Sequence, residues 1–355
     1  MLYDEIIDCQ AELEILVKEN SEYNAAGKRY RIGDSFAVSS SGSEPWPLGF
    51  EKSSTDNSVH GNVLFLLEGN GKTITLTGDK KIDNYGAKSD CGTPVYTAPM
   101  LFNNIMGTVQ NLIVYCDKPL YGVPNYTESG VNAYTDGCAP FAYSIYGGKV
   151  SGVTVYGASG AFVQAATAGG IVVSLHDGGI MENCDSFMDV RMYLPTAEGA
   201  DVGDAARYYA GGVAAIAEAG TVTQCRFVGK LQSTYNSTSS PKKTPNLFMG
   251  GIVGGLRRTW ADPKLTITDC SSWWTVNLPA SGATRGAYTR GSLIGRARYS
   301  INVGTETHDY NGMSGCEGNY WRGNVGAGSY VTASEAAAIG VINSVTPEQP
   351  TAPNE

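Results

Sequence analysis

Along most of the chain an aliphatic residue, two spacers and a small apolar residue or Cys lead into an alternating strand. The phrase reads Val109-Gln-Asn-Leu112-Ile-Val114, Val150-Ser-Gly-Val153-Thr-Val155, Met181-Glu-Asn-Cys184-Asp-Ser186, Val222-Thr-Gln-Cys225-Arg-Phe227 and Ile267-Thr-Asp-Cys270-Ser-Ser272. A second phrase precedes it: Ala98-Pro-Met-Leu-Phe102, Ala139-Pro-Phe-Ala-Tyr143, Gly169-Gly-Ile-Val-Val173, Gly211-Gly-Val-Ala-Ala215, Gly250-Gly-Ile-Val-Gly254 and Gly291-Ser-Leu-Ile-Gly295. With the small residue of the first phrase as marker, the steps are 153 − 112 = 41, 184 − 153 = 31, 225 − 184 = 41 and 270 − 225 = 45. Periods of this size belong to solenoids, propellers or arrays, in which each repeat is one supersecondary unit.

Helical spacing shows at the amino terminus. From about Glu5 to Asn20, apolar groups at Ile6, Leu13, Leu16 and Val17 are set among good helix formers, which predicts a helix. A stack of repeats exposes the raw end of its core, so such a helix reads as a cap. Tyr30, Ile32, Phe36 and Val38 then alternate as strand, Ser39 to Asp56 reads as a loop, and Gly69-Asn-Gly71 marks a turn between two apolar runs. Insertions are read near 193–209 and 232–247, a short helix over Ala333 to Ile339, and a Pro-rich tail over 341–355. The expected organisation is therefore 1–27 as cap and lead-in, 28–340 as solenoid, and 341–355 as tail or linker.

Alternation also assigns faces. If Leu112, Val153, Cys184, Cys225 and Cys270 point inward, so do Val114, Val155, Ser186, Phe227 and Ser272. The residues that follow, Tyr115, Tyr156, Phe187, Val228 and Trp273, then form one outward column. The aromatic members Tyr115, Tyr156, Phe187 and Trp273 are candidate ligand-binding residues, since stacked rings can pack against sugars or a partner protein. The alternative is that an insertion folds over the column and buries it.

Composition narrows the classes. There are 45 glycines in 355 residues, nearly twice the usual share of about 7%, as many tight corners require. Net charge is −9, and no basic run exceeds the pairs Lys80-Lys81, Lys242-Lys243 and Arg257-Arg258; a nucleic-acid partner is not expected without a basic stripe. No apolar stretch approaches the length of a membrane span, so membrane insertion is not expected. The amino terminus lacks the basic and apolar regions of a signal peptide, which fits a processed form carrying an added Met or a cytosolic protein.

Of the eight cysteines, Cys184, Cys225 and Cys270 share one repeat position, where stacked strands lie about 4.8 Å apart. The preferred reading is a buried column of thiols; a disulfide among Cys91, Cys116 and Cys138 stays open. No CxxC occurs and His60, His176 and His308 lie far from these positions, so no zinc site is expected.

The order of several segments carries a likeness: Ala11-Glu-Leu-Glu-Ile-Leu, Gly27-Lys-Arg-Tyr-Arg-Ile-Gly-Asp, Pro45-Trp-Pro-Leu-Gly49, Leu67-Glu-Gly-Asn-Gly-Lys-Thr-Ile74 and Gly107-Thr-Val-Gln-Asn-Leu112. Together with the Gly-Gly-Ile-Val phrases and Asn183-Cys184 or Asp269-Cys270, it resembles bacterial surface proteins with GLUG-type repeats, across about residues 5–300. That resemblance implies an all-β fold, a right-handed single-stranded parallel β-helix, and a secreted or cell-surface setting for an adhesin-like scaffold, with no fixed catalytic set. Only Gly250-Gly-Ile-Val-Gly254 keeps the full glycine frame, so the coil count is not fixed by it.

Enzyme chemistry was weighed against this. A polysaccharide lyase or hydrolase wants clustered or paired carboxylates. Asp185, Arg226 and Ser271 share one outward repeat position, which reads as cross-strand charge complementarity. Glu198, Asp201 and Asp204 are weak candidates for a Ca²⁺ site; no other cofactor is expected. No Gly-x-Ser-x-Gly elbow occurs, and no histidine lies beside a Ser or Cys in a recognisable motif. The expected function is a non-enzymatic surface scaffold or adhesin that binds a glycan or a surface protein. The alternatives are a carbohydrate-active enzyme and a fibre subunit.

Overall fold

A chain whose inward residues recur every second position and whose repeats recur every few dozen can bury them only by laying equivalent strands side by side. The computed structural model describes residues 3–19, 27–39, 61–77, 100–122, 126–127, 130–131, 137–192, 207–233, 246–256, 265–277, 287–291, 294–295, 298–303, 306–311, 320–324 and 349–353. Among them the fold is all-β with parallel sheets and one helix.

From Phe102 to Gly291 four sheets, A to D, are visited in the same order on successive circuits; the described strands before Phe102 belong to C and D. One circuit runs through Gly137–Cys138 in A, Ala142–Tyr146 in B, Lys149–Ser151 in C, and Thr154–Gly157 and Phe162–Ala165 in D. The next repeats it with Thr167–Gly169, Val172–His176, Ile180–Glu182, Asp185–Ser186 and Asp189–Met192. Each strand pairs in parallel with its counterpart. Sheet C holds eight parallel strands from Glu5–Ile7 to Leu265–Thr268, in chain order. In sheet D the two short strands of one circuit fuse in the next into Arg226–Ser233, which pairs with both strands before it.

The corners explain the two phrases. Between C and D the chain turns through a residue in the left-handed region: Asn111 (φ 54°), Gly152 (62°), Asn183 (52°), Gln224 (52°) and Asp269 (52°). Asn and Asp are among the few side chains that tolerate this conformation. The corner is also held to its neighbour, because Asn111 N–H donates to Ser151 O (2.9 Å), Asn183 N–H to Thr223 O (3.1 Å) and Gln224 N–H to Thr268 O (3.0 Å). Between A and B the Gly-Gly phrase folds the chain sharply. A Cβ at Gly169, Gly211 or Gly250 would overlap the carbonyl oxygen of Val172, Ala214 or Val253, and one at Gly212 would meet the Phe227 ring across the core.

The inward assignment is met throughout. Leu112, Val153, Cys184, Cys225 and Cys270 are fully buried, as are Val114, Val155, Phe227 and Ser272, with Ser186 at 1%. Cys184, Cys225 and Cys270 are free thiols, and Cys225 N–H donates to Cys270 Sγ at 3.4 Å. Burial pushes the Cys184 and Cys225 thiols well above their ordinary range. Cys116 and Cys138 are also buried and not disulfide-bonded; Cys91 lies outside the described residues.

Three expectations change. The helix does not begin at Glu5: Glu5–Ile7 is the first strand of sheet C, paired in parallel with Arg29–Ile32. Ile7 enters the core at 2% exposure while Ile6 faces out at 57%, a period of two that a helix cannot satisfy. The helix, α1, is Gln10–Glu19; it buries Leu13, Leu16 and Val17, and Glu12 Oε2 accepts from the Asp8 N–H at 2.7 Å, as an acidic third residue does at a helix start. The insertions are narrower than read, because Arg207–Gly211 and Asn246–Gly250 are strands of sheet A. Lastly, Arg298–Val303 and Glu306–Asn311 pair antiparallel, a hairpin set into the parallel frame. The loop read over Ser39 to Asp56, apart from Ser39 at the end of the strand Phe36–Ser39, the helix read at Ala333 to Ile339 and most of the tail lie outside the described residues.

Candidate functional site

The aromatic column occupies the row that alternation assigned. Tyr115 sits opposite Tyr156 in sheet D with ring centroids 4.9 Å apart, the Phe187 N–H donates to Val155 O at 2.8 Å, and Val228 sits opposite Trp273. The row is nevertheless not an open platform. Tyr156 is only 8% and Trp273 only 6% exposed, and Tyr115 and Phe187 are half-buried. Tyr115 and Tyr156 lean on each other at an interplanar angle of 44°, which takes up part of their faces. As a lectin-like surface the column is withdrawn.

Asp185, Arg226 and Ser271 do lie on adjacent strands. Arg226 grips Asp185 with two N–H donors, one at 2.6 Å to Oδ1, and this bond raises the guanidinium pKa further. Glu198, Asp201 and Asp204 lie outside the described residues. Among the described residues no group of three or more His, Cys, Asp or Glu could hold a metal ion.

A different row is open. At the end of sheet B, Ile105 pairs with Ile145 and Tyr146 with His176, so Met106, Tyr146 and His176 follow one another on successive circuits. Leu175 pairs with Ala217, which sets Glu218 beside His176. Of the five large apolar side chains exposed among the described residues, Met106 (44%), Tyr146 (47%) and Ile180 (36%) flank this B-to-C corner. The corner is narrow because a Cβ at Gly179 would come 2.8 Å from Ile145 O.

Polar groups are threaded through this row. His176 Nδ1 lies 2.8 Å from Glu218 Oε2 and its Nε2 lies 2.7 Å from Ser174 Oγ. Glu218 is acceptor-only when ionised, so Nδ1 carries the proton and the Nε2 lone pair faces Ser174. The Ser174 hydroxyl has a second acceptor, Tyr143 O, at 3.3 Å. Asp177 accepts from Tyr146 and raises the phenol's pKa. One column inward, Ser144, the register partner of Ser174, donates to Asn104 Oδ1 (2.5 Å), and Asn104 Nδ2 donates to Asn62 Oδ1 (2.9 Å).

Sheet C carries a third outward row, Glu68, Gln110, Ser151, Glu182, Thr223 and Thr268. Glu68 is 8% exposed and is satisfied by Gln110 Nε2 (2.6 Å), Asn111 Nδ2 (3.1 Å) and Asn70 N (2.8 Å). Lys149 Nζ lies 2.6 Å from Glu182 Oε1 and holds its carboxyl below the usual range.

Reading the histidines one by one missed the sheet B row. Its signal was present: Ser174-Leu-His176 places Ser and His on one face of a strand, and Glu218 follows His176 by 218 − 176 = 42 residues, about one repeat later.

No family model matches this chain, and no curated protein does either. Among solved structures it is similar to the 1.30 Å crystal structure of a "putative immunoglobulin A1 protease" from Bacteroides ovatus, with a TM-score of 0.51, 14% identity, and 92% of this chain and 80% of that chain covered. A likeness at that identity is one of fold.

Proposed function

We propose that the circuits form a right-handed parallel β-helix whose stack begins with the strand Glu5–Ile7 and whose first end is covered by α1. It would serve as a secreted or cell-surface scaffold that binds saccharide at the sheet B row. Parallel sheets whose strands follow in chain order support the helix, and parallel crossovers are right-handed in about 98% of cases. The likeness to surface proteins with GLUG-type repeats supports the exported setting.

The observation that carries the binding reading is the open Tyr146 ring beside His176, Asp177 and Glu218, flanked by exposed Met106 and Ile180. A sugar ring packs its C–H face on an exposed phenol and offers hydroxyls to the nearby carboxylates. The test is glycan-array binding by the wild type and by Tyr146→Ala/Met106→Ala. Binding that the double variant loses is the expected result. Binding that it retains moves the site elsewhere, and a wild type that binds no glycan ends the saccharide reading.

A further inference from the structure

We propose that Ser174 is a nucleophile for acyl transfer, with His176 as its base and Glu218 as the positioning residue, acting on short-chain carboxylic esters. The two distances, 2.7 Å from Ser174 Oγ to His176 Nε2 and 2.8 Å from His176 Nδ1 to Glu218 Oε2, are those of a serine–base–carboxylate relay. Glu218 fixes the tautomer that leaves Nε2 free to accept. The hydroxyl therefore donates to His176, the nearer of its two acceptors. Two paired strands bring the groups together: Ser174 and His176 share one, and Glu218 follows the other, Ala214–Ala217 of the next circuit.

Access sets the substrate class. Ser174 is 4% exposed, so a small acyl group such as acetyl reaches Oγ most easily. Backbone N–H groups of the strands are committed to the sheet ladders, which limits help to a developing oxyanion. Esters, with their better leaving groups, fit such a site and amides do not. In the step, Ser174 Oγ bonds to the acyl carbon as its proton moves to Nε2. The ester C–O bond then breaks and the alcohol leaves with that proton. Water, deprotonated by Nε2, next attacks the acyl carbon; the acyl–Oγ bond breaks as Nε2 returns that proton to Ser174 Oγ, giving net ester plus water to acid plus alcohol.

The inference does not rest on saccharide binding, so the array and the following test fail independently. The folded wild-type chain is treated with a fluorophosphonate probe, the labelled residue is mapped by mass spectrometry, and hydrolysis of p-nitrophenyl acetate is followed across pH. Ser174 labels in the wild type and Ser174→Ala loses the label. Glu218→Gln slows labelling by at least about tenfold and alters the pH profile of the hydrolysis. Wild-type Ser174 labelling no faster than Ser144, or a Glu218→Gln rate and pH profile like the wild type's, overturns the assignment. Should Ser174→Ala misfold, Glu218→Gln and the Ser144 comparison still decide it.

Discussion

Two outward rows of one stack, built by the same parallel register, have opposite fates. In sheet D the row Tyr115, Tyr156, Phe187, Trp273 places large rings on most circuits; Tyr156 packs against Tyr115, and Tyr156 and Trp273 are left only 8% and 6% exposed. In sheet B the row Met106, Tyr146, His176, Glu218 changes residue type at each step, and Tyr146 keeps 47% of its surface in water. Repetition of aromatics along a stack is thus a packing device. A single aromatic bounded by polar and flexible neighbours is what leaves a ring face free for a ligand.

That contrast breaks if the two rows respond alike to truncation. The largest effect is expected at Trp273→Ala, which removes a buried indole and costs about 3–5 kcal/mol; denaturant unfolding checks it, and a loss under about 1 kcal/mol would mean the row is open after all. A smaller effect comes from the sheet C row between the two. Glu182 has its pKa lowered, chiefly by the hydrogen bond with Lys149, so its stabilising contribution is present above the ordinary carboxylate range and is lost as pH falls through the depressed value. Lys149→Ala should move the Glu182 titration, followed by carboxyl NMR, back up toward that range and cost about 0.2–1 kcal/mol at neutral pH. The smallest effect on stability is expected at Tyr146→Ala, whose melting curve should overlay the wild type's; a clear drop would show that the phenol is a packing residue like its counterparts in sheet D.

Much of the frame was legible because the corners impose themselves on residue type. Asn111, Asn183 and Asp269 tolerate a positive φ, and Gly169, Gly211 and Gly250 occupy positions where a Cβ would strike a carbonyl. Inward residues followed from period two alone. What stayed hidden depends on distance along the stack. Glu5–Ile7 is a strand only because Arg29–Ile32 lies beside it. His176 meets Glu218 only after the chain has made a full circuit. The exposure of Tyr156 and Trp273 stayed open because alternation says which side a ring takes, and says nothing of what covers it there.

The shortest repeat, the 31 residues from Val153 to Cys184, shows how little chain a circuit needs. The longer ones carry their surplus mainly where the chain leaves sheet D for sheet A: between Tyr121 and Gly137, between Met192 and Arg207, and between Ser233 and Asn246. Because each doubling in the length of a connection costs only about 0.6 kcal/mol in closure entropy, this edge can lengthen or be exchanged while the glycine and left-handed corners keep register. The stack is in that sense a chassis with a single grafting seam, along which new surface can be acquired without rewriting the core.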